Sequence, residues 1–133
     1  MSKKKTSTKD YSEPTSYFPD LYNWPTEWTS DQDELKTGKE ILRIFAAFTQ
    51  SLIEDKFAVK TIKNHMGNLK LLGEEIFGRG NDEDLKLPAK KLLLEYIGED
   101  GGPYIPSWDA SDRSENGFDS TCKKLFKFIS RPI

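Results

Sequence analysis

The apolar residues Ile41, Phe45, Phe48 and Leu52 step by 4, 3 and 4 positions, the spacing of one buried stripe on a helix. Thr29 or Ser30 is placed to cap that helix. Asp31, Asp33 and Glu34 fall in its first turn, where the helix dipole favours acids. The helix is expected to run to about Glu54. A second helix is predicted from about Val59 to Phe77, with Val59, Ile62, Met66, Leu69 and Ile76 on one face and Gly78-Arg79-Gly80-Asn81 as its stop. Gly67 and Gly73 each weaken it by roughly 1 kcal/mol relative to alanine, which the close approach of a neighbouring backbone would explain. Pro88 suits the first turn of a third helix that continues through Leu92, Leu93, Leu94, Tyr96 and Ile97 to Gly98. A fourth starts between Ser114 and Ser120, ends near Ser130, and carries the stripe Phe118, Cys122, Leu125, Phe126 and Ile129.

The rest of the chain lacks this periodicity. Residues 1–16 are charged and rich in Ser and Thr, with too few apolar groups to offset ordering entropy, and are expected to form a disordered tail. Residues 17–30 hold Tyr17, Phe18, Tyr22, Trp24 and Trp28, interrupted by Pro19 and Pro25. The prolines oppose a regular helix, so this segment is expected to be an extended strap whose rings pack on the domain or stack on a ligand. Residues 98–113 carry turn chemistry around Tyr104, Ile105 and Trp108. Residues 31–133 then form a single helical domain, and thirteen leucines against one valine add to the helical case. The expected fold is all-α, a small four-helix bundle.

Composition narrows the function more by exclusion than by assignment. One cysteine and one histidine rule out an internal disulfide and any zinc site built from several Cys and His ligands. No apolar run approaches a membrane span, and Met1-Ser2-Lys3-Lys4-Lys5 leads into no apolar signal region, so a cytoplasmic protein without a membrane partner is expected. A Cys122–His65 nucleophile pair would need an activated thiolate, yet Cys122 lies on an apolar stripe. The run from Asp112 resembles a calcium loop until its twelfth place, which is Lys123 where a glutamate is required. Asp82, Glu83 and Asp84 read as the acidic approach to the third helix rather than as a metal site. No glycine loop opens a helix to cradle phosphate. Neither catalysis nor a metal or cofactor is therefore expected.

The distribution of charge is more telling than its sum. The formal net charge is −2, but the segments 1–9, 56–73 and 120–133 contain only bases. They hold Lys3, Lys4, Lys5 and Lys9, then Lys56, Lys60, Lys63 and Lys70, then Lys123, Lys124, Lys127 and Arg131. Two of the predicted helices therefore present cations from an otherwise acidic body.

The run Thr61-Ile62-Lys63-Asn64-His65-Met66-Gly67-Asn68-Leu69-Lys70-Leu71-Leu72 resembles the second helix of the core-binding domain of tyrosine recombinases, the phage integrases. That family shows a Thr, an aliphatic, an aromatic three places on, and apolar residues at four- and three-residue steps. The matching places are Thr61, Ile62, His65, Leu69 and Leu72, with His65 departing from the usual aromatic. Ile41 to Leu52 resembles the family's preceding helix, and Phe118 to Ile129 its last. The resemblance implies a SAM-like four-helix domain of the integrase core-binding type that holds duplex DNA against its second and fourth helices. Those are the helices that carry the basic segments. The family's catalytic arginines, histidines and tyrosine have no counterpart in these residues, so no strand cleavage is expected.

Two functions follow as expectations. In the first, the chain is a non-catalytic DNA-binding module. Lys60, Lys63, Lys123, Lys124 and Lys127 contact phosphates and Asn64 reaches a base edge. In the alternative, it is a helical protein-interaction or structural domain, in which an outward Leu71 beside Trp28 or Trp108 nucleates an apolar patch.

Overall fold

Asp31 sets the start of the longest helix. Its carboxylate accepts from the Glu34 N–H at 2.8 Å, while the Glu34 carboxylate accepts from the Ser30 N–H at 3.1 Å. This reciprocal arrangement satisfies donors that the first turn would otherwise leave unpaired. The cap is thus Asp31 rather than Thr29 or Ser30, because Ser30 is taken by Glu34.

The computed structural model of the chain describes residues 11–79, 84–103 and 113–130. Its α-helices are α1 (Pro14–Tyr17), α2 (Trp24–Trp28), α3 (Gln32–Glu54), α4 (Val59–Arg79), α5 (Ala89–Tyr96) and α6 (Arg113–Ser130), with 3-10 turns at Leu21–Asn23 and Asp84–Lys86. Among the described residues the only bridge between extended positions pairs Gly98 with Gly101. The protein is a small all-helical domain.

The four-helix architecture expected from the sequence is overturned, since six α-helices stand among the described residues. The extra two lie in the segment read as a tail and an extended strap. Pro14 occupies the first turn of α1 and Pro25 the first turn of α2. A proline there forfeits no intrahelical hydrogen bond and presents a backbone angle already suited to a helix. Pro25, read as a breaker, is a starter, while Pro19 does fall outside the helices. Residues from 11 onward also belong to the fold: Tyr11 packs 4.8 Å from Tyr17, and Gln50 of α3 donates to the Ser12 carbonyl at 3.3 Å.

Helix α3 is central. It packs against α1, α2, α4, α5 and α6, and α4 packs in turn against α2 and α6. The stripe Ile41, Phe45, Phe48 and Leu52 is buried as its spacing requires. Ile62, Met66, Leu69, Leu72 and Ile76 of α4 meet it, with Leu92 and Leu93 of α5 and Phe118, Cys122, Leu125 and Ile129 of α6. Val59, expected on the α4 stripe, is exposed instead, because α4 begins beyond the edge of the core. Leu71, expected outward, is half-buried against the core. The aromatic rings of α2 pack inward: Trp28 stacks on Phe77 at 6.0 Å and meets Phe45 edge-on at 5.9 Å. Its indole N–H donates to the Lys70 carbonyl at 3.1 Å.

Two turns shape the surface described next. The link between α3 and α4 closes with the Phe57 N–H on the Leu52 carbonyl (3.2 Å) and the Lys56 N–H on the Ile53 carbonyl (3.0 Å). That pair of bonds is the Schellman helix stop, which wants a left-handed residue, and Lys56 adopts it at φ 67°. After α5, Gly98 and Gly101 exchange N–H···O bonds at 2.9 and 3.2 Å, with Gly101 at φ 126°. The Gly102 N–H then donates to the Asp119 carboxylate at 3.0 Å, clasping this turn to α6. The connection holding Tyr104, Ile105 and Trp108, the acids Asp82 and Glu83, and residues 1–10 lie outside the described residues.

Candidate nucleic-acid interface

Helices α4 and α6 meet along a seam that is polar on its outer side. His65 Nδ1 lies 2.6 Å from Thr121 Oγ1, and Asn68 Nδ2 donates to the same hydroxyl at 2.9 Å and to the Gly117 carbonyl at 3.2 Å. Positions rise along α4 as they fall along α6, so the two helices run antiparallel. His65 and Thr121 are buried, and each finds the partner that a buried polar group needs. Burial, and then the positive charge of Lys124, hold the His65 imidazole below its ordinary titration range. It is neutral at physiological pH.

The cations stand on the solvent-facing sides of these two helices. Lys60 and Asn64 are exposed on α4, and Lys123, Lys124 and Lys127 are exposed on α6. At about 100° per residue, Lys60 and Asn64 point away from the Ile62–Met66–Leu69 stripe, as Lys123 and Lys127 do from Phe118–Cys122–Leu125. Lys124 leans across the junction, its ammonium 5.3 Å from the centre of the Phe57 ring.

Lys63 does not join them. It is half-buried, and its ammonium sits 5.7 Å above the Tyr11 ring on the side of α4 covered by the N-terminal helices. Lys70 turns the same way, 3.3 Å from the Glu27 carboxylate and 5.9 Å from the Trp24 ring centre. The basic segment of α4 is therefore divided between two faces. Of the six residues singled out by sequence, five are exposed on α4 and α6, with Lys123 on the side of α6 away from Thr121, and Lys63 is turned to Tyr11.

An aromatic notch beside the lysines was not anticipated. Phe48, Ser51, Leu52 and Asp55 of the α3 end, Phe57 of the turn, and Lys124, Lys127 and Phe128 of α6 line an open cavity of about 270 Å³. Phe48 and Phe128 meet edge-on at 5.6 Å, and Phe57 keeps 37% of its surface exposed. Phe57 falls in a turn and follows no helical period, so periodicity carried no signal for it.

The groups weighed for catalysis sit in settings unlike an active nucleophile. Burial, and then the Asp119 carboxylate, push the Cys122 thiol up to about 12. The His65 Nδ1 faces Thr121 rather than a thiol. Among the described residues no three His, Cys, Asp or Glu side chains gather as metal ligands. None of the helices they form is long and apolar enough to cross a membrane.

Comparison with known protein families, with characterised proteins and with solved structures finds no match to this chain.

Proposed function

We propose that the outer faces of α4 and α6 form a non-catalytic surface that binds duplex DNA through its phosphates. Lys60, Lys123, Lys124 and Lys127 make the phosphate contacts, and Asn64 is the side chain able to reach a base edge. One observation carries the reading. Exposed lysines from two sequence-distant segments stand on two helices joined along one antiparallel seam, and neither 56–73 nor 120–133 contains an acid. The resemblance of Thr61–Leu72 and Phe118–Ile129 to recombinase core-binding helices supports the same role for these two helices. The formal net charge of −2 suits a local patch better than a protein that coats nucleic acid over its whole surface.

Fluorescence anisotropy with a mixed-sequence duplex across a salt series tests this. Four neutralised phosphates predict a log–log salt slope of about −3.6, against about −4.5 if Lys63 also took part. Lys124→Glu should weaken binding to every duplex sequence alike. Lys63→Glu should do less, because its ammonium is turned to Tyr11. Lys36→Glu should do least, since Lys36 lies with Asp33 and Glu40 around a hollow on α3. Absence of binding at low salt would sink the reading and favour a protein partner.

A further inference from the structure

The notch formed by Phe48, Phe57 and Phe128 combines aromatic rings with cations. Its floor is aromatic and its rim holds two cations, Lys124 and Lys127, against one acid, Asp55. Phe57 has an ordinary structural task, because the second residue after a Schellman stop packs back on the helix, here toward Leu52. That task leaves more than a third of the residue exposed. The turn that holds it out carries a cost as well. Lys56 occupies a left-handed position that glycine normally fills, and an L side chain there is disfavoured by roughly 1–2 kcal/mol. Lys56 adds a third cation, adjacent to Phe57 in the chain.

We infer that this notch receives an unpaired nucleobase, which stacks on Phe57 while Lys124 and Lys127 hold its flanking phosphates. The inference rests on the nucleic-acid reading above and names the form of nucleic acid preferred: a duplex with a single-stranded end or gap over a blunt one. Stacking on an aromatic ring is tolerant of base identity because every base offers a π-face, and the phosphate beside it needs only a positive group. An acidic peptide would satisfy the lysines but would gain nothing from the exposed Phe57, whose ring a base can reach once the Lys124 ammonium swings from it to a phosphate. Lys124 belongs to both surfaces, lying over the Phe57 ring and close enough to His65 for its charge to be felt there. The notch therefore continues the phosphate-binding face, and one strand of a frayed duplex can pass from one to the other.

The test compares a blunt mixed-sequence duplex with the same duplex carrying a short unpaired thymine overhang, by anisotropy at one fixed salt concentration. The overhang should tighten binding by roughly tenfold, in the range that stacking one base supplies. Phe57→Leu, which keeps an apolar side chain and removes the π-face, should erase that preference while leaving blunt-duplex affinity within about twofold. Phe57→Trp should preserve it. Equal affinity of the wild-type protein for both probes would overturn the notch inference while leaving the duplex reading standing. So would an overhang preference that survives Phe57→Leu. Failure to bind either probe would remove both together.

Discussion

The indole of Trp28 occupies the space that a β-carbon on Gly73 would fill. A residue of α2 thereby reaches the backbone of α4 directly, and the indole N–H bonds to the Lys70 carbonyl one turn earlier. Gly67, two turns from Gly73 on the same helix, is exposed, and nothing would meet a side chain there. Gly73→Ala should therefore destabilise by about 1–3 kcal/mol, the cost of overpacking a filled site. Gly67→Ala should stabilise by about 0.5–1 kcal/mol through helix propensity alone. Chemical denaturation midpoints that move in the same direction for both would contradict this assignment.

His65 predicts how acid weakens the fold. Its folded imidazole binds a proton less readily than the ordinary value of 6.5 for the unfolded chain. Between the two values the unfolded chain holds more protons, so lowering the pH favours unfolding. The stabilisation is whole above about 6.5 and drains away as pH falls toward the folded value. Urea midpoints taken at about pH 7.5 and about pH 5.5, above the range where most carboxylates titrate, should fall for the wild type. They should hold much more nearly constant for His65→Gln.

Cys122 should resist chemistry while the protein is folded. It is buried, and its thiol is raised to about 12, so almost no thiolate exists at neutral pH. Iodoacetamide followed by mass spectrometry should find it unmodified in buffer and fully alkylated in denaturant. Rapid labelling of the native protein would show that α6 opens locally.

The central stripes predict their own cost. Phe45 and Leu69 are both buried at the meeting of α3 and α4, and truncation of either to alanine should destabilise by about 2–5 kcal/mol. An unchanged denaturation midpoint would place the core elsewhere.

Lys56 gives a prediction of opposite sign. Replacing it with glycine relieves the left-handed backbone at φ 67° and should raise stability by about 1 kcal/mol, read as a higher thermal midpoint. Lysine at this position then trades stability for something else, and reduced affinity of Lys56→Gly for the overhang duplex would identify what that is.

Where the apolar residues repeat every three or four positions, the helices could be placed from sequence. Gln32–Glu54, Val59–Arg79 and Arg113–Ser130 begin and end within a few residues of expectation because amphipathic periodicity is a local property. The N-terminal segment escaped for the opposite reason. A proline that starts a helix and a proline that breaks one are identical in composition, and only their distance from the first hydrogen-bonded turn separates them. Leu71 and Val59 exchanged roles because the width of a buried face depends on which neighbours cover it. The pairing of His65 with Thr121, 56 residues apart, leaves no periodic trace, and neither does the aromatic notch. Of the candidate site, the cations were legible from their segregation by charge. The diversion of Lys63 was not, because it depends on Tyr11 folding back beside α4.

Two apolar stripes facing each other can slide, since a shift of one turn, about 5.4 Å, again sets apolar side chains against apolar ones. The hydrogen bonds between α4 and α6 forbid that freedom. A one-turn slip would carry Thr121 beyond reach of His65 and Asn68 together, stranding the buried His65 imidazole without its partner. The alignment of the two helices is thus chosen by a few oriented dipoles rather than by the bulk of the core. The spacing of the charges mounted on their far sides is fixed by the same choice, like marks ruled on two bars pinned at a single notch.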